Sequence, residues 1–401
     1  MNTIGPIQDK NILFLQGPMG PFFKKLDIVF RKRGAKTYKI GLNAGDWFYS
    51  NKDNYIPYKD TKQHWKIFIE NFLIEKKIDK IFLFGDCRFY QNQAVMVALS
   101  LKIDIFVFEE GYVRPHYITM EKFGVNDYSH IEREANFYQK LKAQMPPTPL
   151  HAQQSKTQLI ISAMLYYLLA NIFSYRYPCY EHHREFSAVK EGFYAIRGLW
   201  RKLIYHFSEA NYLKQIEGEL SKQYFFVPLQ THKDFQILQH SNYGSVEKFI
   251  IDVLESFAKY ADQTDWLVFK HHPVDRGRRN YHSFITEQAR VLAIANRVLI
   301  IHDVHLPTCL KHAKGTVTIN STVGLSSIGH QTPTITLGNA IYDIEGLTCK
   351  GMELKRFWKE AEKPDRLLYQ KFITYLIEKT QLNGSYYGLF PHAFFSDEMY
   401  Q

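Results

Sequence analysis

The chain has 401 residues, 45% of them hydrophobic and 22% charged, with a formal net charge of +10. That length is enough for a sizeable buried core and suits two domains better than one, and the composition excludes a disordered polymer. The positive charge implies an acidic partner, whether nucleic acid, an anionic membrane surface or a phosphorylated substrate.

The four cysteines, Cys87, Cys179, Cys309 and Cys349, lack paired spacing, so they indicate neither a zinc site nor a disulfide framework and suit a reducing compartment. Residues 1–10 carry no basic-then-apolar leader pattern. Asn11 to Gln16 reads as an apolar strand running into Gly17-Pro18-Met19-Gly20-Pro21, and Phe22 to Arg33 has helical spacing. Strand, glycine turn and helix open an α/β domain. The turn is no dinucleotide fingerprint, because its glycines miss G-x-G-x-x-G and its prolines remove N–H donors. Thr37 to Ile40 is a second strand, ending in Asn43-Ala44-Gly45-Asp46-Trp47, which is either a binding turn or only a turn.

His64 to Lys77 is an amphipathic helix. Lys80 to Phe84 then delivers Gly85-Asp86-Cys87-Arg88 to the carboxyl edge of a sheet, where ligands gather in open α/β folds. Gln91 to Leu101 is the next helix. The strand Ile103 to Phe108 ends in Glu109-Glu110-Gly111-Tyr112-Val113-Arg114-Pro115. Two adjacent carboxylates at the mouth of a buried strand suggest a site, against the plainer reading of an Arg114–Glu110 ion pair fixing a loop. Leu159 to Phe173 is the most apolar stretch and falls short of the ~20 residues that span a bilayer. Tyr175, Arg176, Arg197, Trp200, Arg201 and Lys202 follow it. The stretch is therefore either an interfacial helix or a buried interdomain one.

A second α/β domain begins at Tyr224 to Gln230. Ser245 to Lys259 is a helix, and the strand Trp266 to Phe269 ends in Lys270-His271-His272-Pro273. Val298 to Ile301 is another strand, followed by a helix around Leu310. Lys314 to Ser327 reads as a short buried strand, a tight polar turn at Asn320-Ser321-Thr322 and the first turn of a helix. That arrangement aims free backbone N–H groups and hydroxyls at one place and is either an anion cradle, with Gly324 allowing close approach of a ligand, or only a common αβ turn. The expected fold class is α/β, with two Rossmann-like domains facing a central cleft. The boundaries are 1–150 for an acceptor-side domain, 151–220 for a basic-aromatic connecting region, 221–350 for a nucleotide-sugar domain and 351–401 for a helical end.

Together, Gln16-Gly17-Pro18-Met19-Gly20-Pro21, Asn43 to Trp47, Phe84 to Arg88, Phe108 to Pro115, Phe269 to Pro273 and Ile319 to Gly324 resemble the KpsS-type capsule polysaccharide proteins. The similarity covers nearly the whole chain. It implies a GT-B arrangement and transfer of the first β-Kdo, an acidic eight-carbon sugar, from CMP-Kdo to a lysophosphatidylglycerol acceptor or similar anionic lipid. The setting it implies is cytoplasmic and peripheral on the inner-membrane surface, with a two-module Kdo transferase and the export machinery as further partners. Nucleic acid is not among them. The resemblance further implies that Lys270, His272 and Pro273 with Asn320, Ser321, Thr322 and Gly324 hold the CMP, and that Gln230 lies beside the donor. Asp234 is the expected nucleophile, in Leu229-Gln230-Thr231-His232-Lys233-Asp234, where relatives carry Asp at the place of Leu229. Glu110, with Asp86 second, is the acid/base candidate, and Glu109 and Arg114 bind substrate. With neither a D-x-D motif nor a metal-spaced His/Cys cluster, no metal and no cofactor beyond the donor substrate is expected. The alternatives are another nucleotide-sugar enzyme of the same architecture and a non-catalytic export adaptor.

Overall fold

The computed structural model describes residues 3–181, 188–232 and 243–401. In chain order the strands are β1 (Asn11–Phe14), β2 (Lys36–Gly41), β3 (Tyr55–Pro57), β4 (Lys80–Phe84), β5 (Asp104–Glu110), β6 (Tyr117–Lys122), β7 (Tyr224–Pro228), β8 (Trp266–Lys270), β9 (Val298–Ile301), β10 (Gly315–Thr318), β11 (Thr334–Thr336) and β12 (Gln381–Asn383). They form two sheets in two compact units. The first unit comprises Met1–Ile131, Met145–Ala188 and Ile373–Gln401, and the second Glu132–Gln144 and Val189–Phe372. The range 151–220 is thus shared between the units, as is 351–401.

The first unit holds a seven-stranded sheet of order β12-β6-β5-β4-β1-β2-β3. Its strands from β3 to β5 are parallel, and β6 runs antiparallel to both β5 and β12. Strand residues alternate between two apolar layers, Leu13, Ile81, Leu83 and Val107 on one face and Phe14, Phe82, Phe106 and Phe108 on the other. Both faces are covered, which is why these strands read as continuous apolar runs. The chain leaves β1 toward β2 on one side and returns to β4 on the other, so the carboxyl ends of β1 and β4 flank a topological switch point.

The second unit holds a fully parallel five-stranded sheet of order β11-β10-β7-β8-β9. Phe225, Val227, Leu267, Phe269 and Val317 pack on one face, and Tyr224, Phe226, Val268 and Ile301 on the other. Its switch point lies between β7 and β10. Ser245 caps the helix Val246–Tyr260 by accepting from Lys248 N at 3.2 Å, and a buried face of Phe249, Ile250, Val253 and Phe257 carries that helix onto the sheet.

The apolar run forms the helix Lys156–Ile172, whose one fully buried side chain is Tyr166. Ile160, Met164, Leu168 and Ile172 are exposed, so it is not the buried helix of one expectation. Among the described residues, no helix is long and apolar enough to cross a membrane.

Candidate functional site

In the second unit the switch point is bridged by side chains. Gln230, just beyond β7, donates from Nε2 to Asn320 Oδ1 at 3.0 Å, and its Oε1 accepts from Asn320 N at 3.4 Å. Beyond β10, Ser321 caps the helix Thr322–Gly329 by accepting from Val323 N at 3.2 Å. The expected strand, turn and helix start are therefore present, with the capped turn beside Gln230 and Thr322 opening the helix. Gly324 serves another purpose than ligand approach. A Cβ there would lie 2.2 Å from Tyr342 Oη, so the absent side chain makes room for that ring. The Tyr342 hydroxyl donates to Ser321 O and fixes the turn.

Past β8 the four residues Lys270 to Pro273 take separate roles. Lys270 is buried and its Nζ donates to His302 O at 2.6 Å, so its ammonium braces the neighbouring loop instead of reaching for a phosphate. Burial pulls its pKa down. His271 is buried and stacked on His302 with ring centroids 4.5 Å apart. Desolvation, then the neighbouring His302, lowers it to about 3, so it is neutral. His272 is half-buried and accepts at Nδ1 from Val274 N at 3.2 Å. That bond puts the proton of the neutral ring on Nε2, a hydrogen-bond donor. Pro273 is exposed and begins the 3₁₀ turn Pro273–Asp275.

Three groups that the sequence did not single out hold this edge together. Buried Asp275 accepts from His232 N at 2.9 Å and faces His232 Nδ1 at 2.9 Å, tying the end of β7 to the loop after β8. Glu209 accepts from His302 N and Asp303 N at 2.9 Å each, and its Oε1 lies 2.7 Å from His302 Nδ1. Burial works to raise the Glu209 carboxyl, but the hydrogen bonds from His302 and Asp303 outweigh it and hold it below its ordinary value. Arg276 pairs with Asp303. Glu209 gives no sequence signal, because one acid after a long helix has no pattern. The expected nucleophile, Asp234, lies outside the described residues.

In the first unit, Gly85 adopts φ +67°, and a Cβ there would sit 3.6 Å from Glu109 Oε2, so the carboxylate lies over the turn after β4. Asp86 is buried and structural: its Oδ2 accepts from Val125 N at 2.9 Å, and Cys87 Sγ donates to its Oδ1 at 3.2 Å. Glu110 Oε2 accepts from Gln154 Nε2 at 3.0 Å. The Glu109 carboxyl is shifted by its surroundings. Desolvation raises it to about 7, against the pull of the Glu110 N–H and Arg88, with lesser help from the charges of Glu110 and Asp86. Arg114 is exposed and donates from Nε to Gly111 O at 3.1 Å. The Arg114–Glu110 ion pair of the plainer reading does not form.

The segment after β2 is more than a turn. Asn43 caps the helix Ala44–Phe48, accepting from Gly45 N at 2.8 Å and Asp46 N at 3.1 Å. The Tyr166 hydroxyl donates to Asp46 Oδ1 at 3.0 Å and accepts from Gln16 Nε2 at 2.8 Å and Asn43 Nδ2 at 2.7 Å. The helix Lys156–Ile172 is therefore pinned to the carboxyl ends of β1 and β2 by one phenol. Among the described residues, no group of three His, Cys, Asp or Glu side chains is placed to hold a metal.

Residues 79–387 match the family described as capsule polysaccharide biosynthesis protein. The chain is 38% identical over 381 residues, 95% of its own length and 98% of the relative's, to the capsule polysaccharide export protein KpsS of Escherichia coli. It is 36% identical over 408 residues, covering 97% of this chain and 94% of the other, to the capsule polysaccharide modification protein LipB of Neisseria meningitidis serogroup A. Among solved structures, KpsC of Thermosulfurimonas dismutans, a β-Kdo 2,7 transferase, aligns with TM-score 0.42 at 12% identity over 91% of this chain and 89% of that one.

Proposed function

The chain belongs to the capsule polysaccharide biosynthesis protein family, and from that premise we propose that it is a glycosyltransferase that moves the first β-Kdo from CMP-Kdo to lysophosphatidylglycerol or a similar anionic lipid. The observation that carries this reading is the edge at the β7/β10 switch point. There Gln230, Asn320 and the Ser321-capped helix start lie at strand ends of the same sheet as the His272 loop, an arrangement suited to a nucleotide phosphate. The net charge of +10 agrees with a donor and an acceptor that are both anionic.

Retention of configuration takes two displacements. In the first, the Asp234 carboxylate attacks the anomeric carbon and the bond to the CMP phosphate oxygen breaks, CMP leaving with the electron pair. His272 Nε2–H and the helix start after Ser321 stabilise the charge that grows on that phosphate. In the second, the acceptor hydroxyl attacks the same carbon, the carboxylate leaves, and a glutamate takes the hydroxyl proton. Glu109 suits this last role better than Glu110, since its raised pKa places it near neutrality. Lys270 and Asp86 act by positioning, through the bonds to His302 O and Val125 N.

Mass spectrometry of the purified protein with CMP-Kdo and lysophosphatidylglycerol tests the reading. The expected result is a lipid heavier by one Kdo, lost in Asp234→Ala, with a sugar adduct mapping to Asp234. A folded protein that leaves CMP-Kdo intact points to another donor. Capsule loss on deleting residues 159–175, with Asp234→Ala silent, points to an export adaptor.

A further inference from the structure

The helix Ala188–Ser208 shows two unlike faces. Its inner face grips the loops of the second sheet's edge. Arg197 donates from Nε to Gly277 O at 2.6 Å and from Nη2 to Arg278 O at 2.9 Å, and Arg201 donates to Arg276 O at 2.8 Å. A Cβ on Gly277 would meet Tyr194 O at 2.1 Å, so glycine is what lets the helix approach so closely. Tyr205 stacks on His302 at 3.8 Å. The outer face carries Phe193, Ile196, Trp200, Leu203 and Phe207, at the three- and four-residue spacing of a single helical stripe. These side chains are left in solvent, with Ile196 71%, Trp200 63% and Phe207 77% exposed. A contiguous run of large apolar groups is unusual on a free surface and marks an interaction site.

We propose that this stripe lies in the headgroup region of an anionic lipid bilayer, with the helix parallel to the membrane plane. Charge selects that occupant. Apart from Arg197 and Arg201, which the inner face holds on backbone carbonyls, the helix contains Lys190 and Lys202 against the single acid Glu191, in a chain of net charge +10. Basic flanks along an apolar stripe with a central Trp suit an anionic interface, whereas two copies meeting stripe to stripe would bring like charges together. The helix Lys156–Ile172 is also exposed and apolar, but Lys156 is its sole charged residue, so it lacks that selectivity. The proposal deepens the lipid-acceptor reading by naming the surface that brings the protein to its acceptor, and vesicle binding without donor or acceptor tests it separately.

The experiment is co-sedimentation of the full chain with phosphatidylglycerol/phosphatidylcholine vesicles and with phosphatidylcholine alone, for the wild type, Ile196→Ser/Phe207→Ser and Lys190→Glu/Lys202→Glu. Expected is binding to the anionic vesicles that weakens at high salt, and a loss of at least about tenfold in either variant with an unchanged melting temperature. A blue shift of tryptophan emission on vesicle binding, absent in Trp200→Phe, supports insertion of the stripe. Should a variant fail to fold, this Trp200 signal decides alone. Failure of the wild type to bind, equal binding by the folded variants, or a dimer that the Ile196→Ser/Phe207→Ser variant dissociates would overturn the proposal. Transfer to a detergent-dispersed acceptor, measured in parallel, shows whether the lipid-acceptor reading fails or holds independently.

Discussion

Glu109 and Glu110 are neighbours in sequence but differ in environment. Desolvation raises Glu109 to about 7, whereas Glu110 is engaged by Gln154. If Glu109 takes the acceptor proton, it must first lose its own, so kcat/KM rises as pH climbs through about 7. Glu109→Gln should lower kcat by ~10²–10⁴ and abolish that limb, while Glu110→Gln keeps it. A pH–rate profile of both variants checks this. His271 gives the opposite test, of stability. Its pKa falls from 6.5 unfolded to about 3 folded, so between those values the unfolded state binds the extra proton. Stability should therefore drop as pH falls from 6.5 toward 3, and urea titrations across that range should show a shallower drop for His271→Phe. The Glu-Glu-Gly pattern was visible in the sequence, but the choice between the two carboxylates was not, because burial is a tertiary property. For the same reason Lys270 reads as a phosphate ligand until its carbonyl partner is seen.

At the scale of elements, the turn after β10 depends on one steric exchange. Gly324→Ala places a methyl group 2.2 Å from Tyr342 Oη, inside a packed turn. It should destabilise the protein by about 1–3 kcal/mol. Tyr342→Phe should cost about 1 kcal/mol through the lost bond to Ser321 O. The two changes share one contact, so denaturant unfolding of the double variant should depart from the sum of the singles, and strict additivity would refute the coupling. The sequence marked Gly324 as special but assigned the space to a ligand, since a ring arriving from 18 residues downstream leaves no local pattern. Strands with apolar side chains on both faces, such as β1, β4 and β8, were legible within a residue or two at their ends. The short edge strands β3 and β12 were not, because three residues gain strand geometry only from the partner they pair with.

At the scale of the chain, the last residues return to the first unit. Gln381 in β12 pairs with Thr119 in β6, and Gln381 Nε2 donates to Thr119 Oγ1 at 3.0 Å across a separation of 262 residues. A reading along the sequence assigns 351–401 to one terminal segment, because nothing local announces a return to a distant strand. Beyond β12, the Tyr386 and Phe394 rings pack on Phe22 at 4.9 and 6.4 Å, and Tyr386 Oη donates to Glu109 O at 2.7 Å. Leu382, Tyr386, Phe394 and Met399 are all buried. At about 1.5–3 kcal/mol for each buried side chain, their loss removes roughly 6–12 kcal/mol, as much as a whole domain's usual margin of stability. A chain ending at residue 372 should therefore lose the first unit, including the support under Glu109, while the second unit keeps its own sheet and core. Hydrogen exchange by mass spectrometry resolves the two: β1, β4 and β5 should exchange freely while β7, β8 and β10 stay protected. Protection of β4 and β5 in the truncated chain would show that the returning tail is dispensable to the first sheet, and uniform loss would show that the second sheet does not stand by itself.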